Sequence, residues 1–268
     1  MPARHPERIV CLTEETTETL YLLEEECRIV GISGYTVRPP RARREKPRVS
    51  AFLSAKTDKI LALRPDLVIG FSDLQAEIAR DLAKAGLNVL VFNQRSVDEI
   101  LSMILALASL VGAAAKGERL VAELETGLDG IRARAARFER RPRVYFEEWD
   151  EPMISGIGWV SELVGIAGGQ DVFPERARSH AAAGRTIADP QEVVRAQPDV
   201  ILGSWCGKKF RPEHVVARPG WSEVPAVRDG ELHEIKSAEI LQPGPAALTD
   251  GVRRMHDIFA AWDARRAK

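Results

Sequence analysis

The chain reads KILALRPDLVIGFS at residues 59–72 and EVVRAQPDVILGSW at residues 192–205, an offset of 133 residues. Each copy holds a helical turn, a Pro-Asp pair, an apolar run rich in β-branched residues, and a glycine where that run ends. Pro65 and Pro198 end their helices, because proline removes a backbone donor and disfavours helical geometry in the residue before it. The opening strands repeat as well: RIVCL (8–12) leads into a helix at 16–23, as RVYFE (143–147) leads into one at 160–167. Self-similarity at a fixed offset marks a duplicated structural unit.

Around these copies, apolar runs at 9–12, 29–32, 67–70 and 89–92, then at 144–146, 172–173, 200–203 and 232–235, alternate with helical patterns. Such runs between helices are the mark of parallel strands buried on both faces. The predicted fold class is α/β: two Rossmann-like lobes with parallel sheets, at 1–112 and 142–268, joined by a linking helix at 113–141. The linker breaks at Gly112, and its long piece, 114–138, would span roughly 37 Å at 1.5 Å per residue. Leu120, Leu124, Leu128 and Ile131 recur along it at helical spacing. Two lobes on one rod leave a cleft, and ligands of open α/β sheets sit beyond the carboxyl ends of the strands. Gly168 and Gly169 read as the cap of a helix that ends at about residue 167.

Composition narrows the function classes. Lys plus Arg number 38 against 39 Asp plus Glu, a net charge of −1 that gives no field to attract nucleic acid or an anionic membrane. The three cysteines, Cys11, Cys27 and Cys206, are too few and too scattered for a disulfide framework or a zinc site. No run reaches the roughly 20 apolar residues that span a bilayer. The expected chain is a soluble monomer with a small-molecule partner. As written it shows no export leader and reads as cytoplasmic; a removed leader would place it in the periplasm or at the cell surface.

The whole order of elements resembles the helical-backbone (class III) substrate-binding proteins of ABC transporters, and its cobalamin-binding branch most of all. The stretches that carry the resemblance are RIVCLTEETTETLYLL, RIVGIS, PRVSAF, KILALRPDLVIG, NVLVFN, WVSELVGIAGGQDVF, PDVILGSW and RPGWSEVPAVRDGELHEI. The resemblance implies two Rossmann-like lobes, a chelate bound between them, no catalysis and no required cofactor, the ligand itself being cobalamin or another metal chelate. It also implies an ABC permease as partner, with Glu77 and Glu213 as the docking carboxylates. Where most members of that family have Pro-Ser-Ala-Thr-Glu after the first strand, this chain has Thr13, Glu14, Glu15, Thr16, Thr17 and Glu18, which adds carboxylates.

The strand ends supply the candidate ligand contacts. In the first lobe these are Thr13, Glu14, Glu15, Tyr35, Phe52, Phe71, Ser72 and Asp73; in the second, Glu147, Glu148, Trp149, Asp150, Trp159, Trp205 and Lys208. Phe71 and Trp205 stand at nearly equivalent places in the repeat, and aromatic faces hold flat rings well. The stretch VYFEEWDEP (144–152) is expected to be a strand through Phe146, with Glu147 to Glu151 as a loop beyond it. Trp149 would wall a ligand there and the carboxylates would orient its polar groups. Two other readings stay open: a receptor for a siderophore, haem or other small molecule, and a cytoplasmic enzyme on the same fold, a chelatase or carboxylate-using hydrolase. Carboxylates alone could serve acid–base chemistry, but no nucleophile, phosphate-cradling loop or triad accompanies them.

Overall fold

The computed structural model describes residues 4–266 and falls into two units. One holds the described residues up to Gln94 with Asp98–Leu124; the other holds Arg95–Val97 with the described residues from Glu125 onward.

The first unit is a five-stranded, wholly parallel sheet in the order β3-β2-β1-β4-β5. Its strands are β1 (Ile9–Cys11), β2 (Ile29–Ser33), β3 (Arg48–Ser50), β4 (Leu67–Phe71) and β5 (Val89–Phe92). Helices α1 (Glu14–Leu22), α2 (Thr57–Ala62) and α3 (Ala76–Lys84) follow β1, β3 and β4. Val10, Leu12, Val49, Ile60, Val68 and Leu82 form one buried cluster, each side chain contributing roughly 1.5–3 kcal/mol relative to exposure. Helix α4 (Val97–Leu110) ends before Gly112, whose φ of +75° suits a residue without a side chain. Helix α5 (Ala114–Ala135) follows, and the division between the units falls inside it, after Leu124. It ends three residues earlier than expected: beyond it the N–H groups of Glu139 and Arg140 donate to the Asp263 carboxylate (3.2 and 2.9 Å) instead of to helical carbonyls, and Phe138 stacks on the His256 ring at 5.3 Å.

The second unit orders its sheet β10-β9-β6-β7, from β6 (Arg143–Asp150), β7 (Met153–Ser155), β9 (Val200–Gly203) and β10 (Leu232–Glu234). The short β8 (Gln170–Asp171) pairs in parallel with the start of β6. Helices α6 (Gly158–Ala167), α7 (Gln191–Ala196) and α8 (Val252–Arg266) complete the parts used below. Gly168 caps α6 in left-handed geometry, as predicted. Two strand boundaries differ from expectation by more than one residue, and β3 and β7 were not among the predicted strands. Strand β6 continues to Asp150, because β7 pairs with it in antiparallel fashion and supplies the hydrogen bonds that a loop would have left to water. The predicted strand at 172–173 lies two residues earlier, since Asp171 accepts the Phe173 N–H (2.9 Å) and Pro174 opens a helical turn.

The repeated Pro-Asp pair has one structural task in both units. Asp66 accepts the backbone N–H of Glu7 (2.7 Å) and Arg8 (3.0 Å), while Arg8 donates to the carbonyl of Leu63. Asp199 likewise accepts the N–H of Arg143 (2.8 Å), and Arg143 donates to the carbonyl of Ala196 (2.9 Å). The chain turns out of each preceding helix through matching left-handed residues, Arg64 (φ 46°) and Gln197 (φ 45°). Each latch therefore ties the entry of a central strand to its neighbour.

Candidate functional site

At the carboxyl ends of the first sheet, α1 starts two residues after β1, so its first turn is packed into the unit. Glu14, Glu15 and Glu18 are all buried. Glu14 Oε2 accepts the Val37 N–H (3.1 Å), Glu15 Oε1 accepts the Thr13 hydroxyl (2.5 Å), and Glu18 pairs with Arg38 (2.8 Å). Burial pushes both Glu14 and Glu15 up to about 7, against the pull of those hydrogen bonds. Burial also pushes the Cys11 thiol up to about 12, which removes it as a nucleophile at neutral pH.

The next loops are joined by a side chain that sequence reasoning missed. Gln75 is buried; its Oε1 accepts the Phe71 N–H and its Nε2 donates to the Phe52 carbonyl, both at 2.9 Å. One amide thus sets the spacing of the two loops that carry the predicted aromatics. Its sequence signal was Gly70, where a Cβ would stand 2.8 Å from Gln75 Oε1. Ser72, at φ 65°, caps the following turn by accepting the Leu74 N–H. Phe71 itself is buried, whereas Tyr35 (55 %), Leu53 (68 %) and Leu74 (59 %) are exposed on the segments that leave β2, β3 and β4. Phe52 is partly buried and Asp73 exposed between them. Sequence reasoning found Tyr35 but not the two leucines, because nothing in periodicity separates a leucine on a strand-end loop from one in a core.

At the corresponding end of the second sheet, the stretch 147–151 corrects expectation. Glu147 is not a loop residue open to ligand: it lies in β6, is 0 % exposed, and accepts from Tyr145 Oη (3.0 Å), Trp205 Nε1 (2.9 Å) and both guanidinium nitrogens of Arg218 (2.6 and 2.9 Å). That set uses its acceptor capacity, so Glu147 fixes Trp205 and has no lone pair directed at a ligand. Burial lowers the affinity of Arg218 for its proton, but Glu147 more than reverses this and raises its pKa. Glu148 is the extra residue where the β6–β7 register shifts, and it pairs with the buried Arg185. Trp159 is buried in α6, its indole N–H donating to the Ile240 carbonyl (2.9 Å).

Four of the predicted residues, Trp149, Asp150, Trp205 and Lys208, converge. Trp149 is partly buried, Lys208 Nζ stands 4.2 Å from its ring centroid and 5.1 Å from that of Trp205, and Lys208 also pairs with Asp150. Cation–π contacts of this kind contribute about 0.5–2 kcal/mol. Beside them lies a concavity of about 340 Å³, lined by Trp205, Gly207, Lys208, Lys209, Glu234, Ile235, Lys236 and Ser237. Of the two docking candidates, Glu77 is exposed and pairs with Arg80, and Glu213 is exposed near Arg211 (3.5 Å). Among the described residues no three His, Cys, Asp or Glu side chains gather to hold a metal ion, and no helix is long and apolar enough to cross a membrane.

A duplicated parallel α/β unit with its accessible aromatic and aliphatic groups at strand ends is the pattern of the periplasmic binding proteins, whose family model matches residues 9–239. The chain belongs to that family. Its relatives among the binding proteins include the vitamin B12-binding protein of Vibrio parahaemolyticus, 25% identical over 250 residues, which cover 90% of this chain and 86% of the relative. The uncharacterized ABC transporter substrate-binding lipoprotein YvrC of Bacillus subtilis is 23% identical over 94% of this chain and 79% of its own. Among solved structures, the periplasmic heme-binding protein RhuT of Roseiflexus sp. RS-1, in apo form, superimposes with a TM-score of 0.79 at 26% identity, covering 94% of this chain and 98% of that one.

Proposed function

We propose that this binding protein takes up a corrinoid or a related metal chelate without transforming it, and hands it to an ABC permease. The observation that carries the reading is the open apolar rim of Tyr35, Leu53 and Leu74 at the strand ends of the first unit, where a flat ring can lie. Trp149, at the strand ends of the second unit, offers a further ring face. The relatives named for vitamin B12 and heme support a planar tetrapyrrole-like ligand, and a ring of that kind needs apolar area more than it needs reactive groups. Three groups that sequence alone would offer for catalysis are otherwise engaged: Glu147 and Glu148 are in ion pairs, and the Cys11 thiol is buried.

Titration with cobalamin tests this. All five tryptophans lie in the second unit, so a corrin absorbing near their emission should quench a large share of the fluorescence, with saturation matched by calorimetric heat. If neither cobalamin nor hemin produces saturable quenching or heat, the chelate reading is wrong, and turnover assays on metal chelates follow. Delivery to a permease further requires that the chain act outside the cytoplasmic membrane; its recovery in the cytosolic fraction of source cells would remove the transport role while leaving binding intact.

A further inference from the structure

The concavity beside Trp205 has a chemistry that the chelate reading does not use. Lys208, Lys209 and Lys236 line it, beyond the carboxyl ends of β9 and β10. Two carboxylates lie against these ammonium groups. Glu234 faces Lys236 (2.5 Å) and accepts the Phe210 N–H (3.2 Å), and Asp150 faces Lys208 from the Trp149 side. Three positive groups against two negative ones leave a surplus of one positive charge, and Glu234 has an ordered backbone donor sharing its burden. Lys208 is held by attractions that a ligand can replace: two ring faces and one carboxylate, all on a side chain that is 40% exposed. A flat ring that stacks on Trp149 must move the ammonium from that face, and the adjacent volume of about 340 Å³ is where it can go.

We propose that this pocket receives an ionised acid group carried by the chelate, a carboxylate or a phosphate, so that the protein prefers acid-bearing rings to neutral ones. On this inference, which rests on the chelate reading above, Lys208 exchanges the ring face of Trp149 for the ligand's acid group, and Lys209 and Lys236 complete its surroundings. A small anion is sufficient, since a carboxylate or phosphodiester arm fits within about 340 Å³. A cationic arm would meet the surplus positive charge and be rejected.

The test compares ligands built on one ring with and without the acid group, hemin and its dimethyl ester being the pair that differs there alone. Hemin and its dimethyl ester share one ring with and without free carboxylates; cobalamin and dicyanocobinamide share another with and without a phosphodiester. For whichever ring binds, the acid-bearing form should bind at least tenfold more tightly, the preference should shrink with added salt, and it should vanish in the triple variant Lys208→Met, Lys209→Met, Lys236→Met. Circular dichroism of the variant verifies its fold, and the ratio of acid-form to neutral-form affinity is the readout, because loss of Lys208 from the Trp149 face affects both forms alike. Equal affinity of the parent chain for acid and neutral forms overturns the proposal and leaves the chelate reading standing. Citrate, a ring-free polycarboxylate, separates the two failures where no chelate binds: a saturable change in tryptophan emission that the triple variant loses keeps the anion pocket while the chelate reading falls, and no saturable change overturns the pocket as well.

Discussion

The two sheets end their central strands with the same glycine and then diverge. In the first unit Gly70 makes room for an amide, Gln75, whose Oε1 lies 2.8 Å from where a Cβ would be; in the second, Gly203 makes room for a ring, Phe210, whose Cδ2 would lie 1.9 Å away. The amide joins loops by hydrogen bonds and leaves apolar side chains pointing outward. The ring instead packs on Trp205 (centroids 5.0 Å apart), in a core whose buried charge, Glu147, is satisfied by Arg218. Carboxylates follow the same contrast. Glu14 and Glu15 of the first unit are buried near uncharged donors and burial raises their pKa values to about 7, while Glu147 of the second is buried beside the guanidinium of Arg218. A duplicated scaffold thus carries one rim suited to apolar contact and one suited to charge.

The largest expected effect strikes at the charge side. Arg218→Met leaves Glu147 buried without its counter-charge and should reduce unfolding free energy by about 3–5 kcal/mol. Arg38→Met, which removes the partner of Glu18 at a more exposed place, should reduce it by about 1 kcal/mol. Urea denaturation followed by tryptophan emission and by circular dichroism measures both. Equal losses would mean that the two rims do not differ in this way.

The next effect is on pH. Glu14 and Glu15 have pKa values near 7 in the folded chain against 4.5 in the unfolded one. Between these values the folded state keeps protons that the unfolded state releases, so the stability that these two groups contribute is fully present below about pH 4.5, falls as pH rises to about 7, and levels off above. Each group contributes at most about 3 kcal/mol to that fall. Denaturation of the parent chain and of Glu15→Gln at pH 5 and pH 8 should show a smaller difference in the variant; an unchanged difference would exclude Glu15 as its source.

Adding a methyl group sharpens the comparison of the glycines. Gly203→Ala drives a Cβ into the Phe210 ring and should destabilise by about 1–3 kcal/mol, whereas Gly70→Ala meets only the end of a Gln75 side chain and should cost about 1 kcal/mol. Melting curves resolve the order, and a larger loss at Gly70 would show that the Gln75 bridge is stiffer than the aromatic core. The last effect is on ligand affinity and not on stability: Trp149→Ala should weaken cobalamin binding by about 1 kcal/mol with the fold retained. Calorimetry that finds the two affinities equal would move the ligand away from the Trp149 face.

Much of this was legible in residues 59–72 and 192–205 and their surroundings. The parallel sheets, the helix ends at Pro65 and Pro198, the cap at Gly168 and the break at Gly112 follow from backbone chemistry that acts within a few residues. The strand-end stretches were located for the same reason, since most of the strands end close to where their apolar runs do. Strand β6 shows where local reading failed. Glu147, Glu148 and Asp150 look like loop residues because charge is costly to bury, and the chain gives no local sign that Arg218, Arg185 and Lys208 stand ready 71, 37 and 58 residues away.

The sequence by itself determined the duplicated α/β plan, the order of its elements and the membership of Trp149, Trp205 and Lys208 in one strand-end region, because these depend on periodicity, turn chemistry and the repeat. Only the tertiary structure decided which of those side chains are open. Burial is set by partners distant along the chain: Arg218 withdraws Glu147 from the rim, Gln75 draws the Phe52 and Phe71 loops together, and Leu53 and Leu74 are exposed because nothing in the unit folds over them. A side chain's type records what it can do, and the long-range contacts around it decide whether a ligand can reach it.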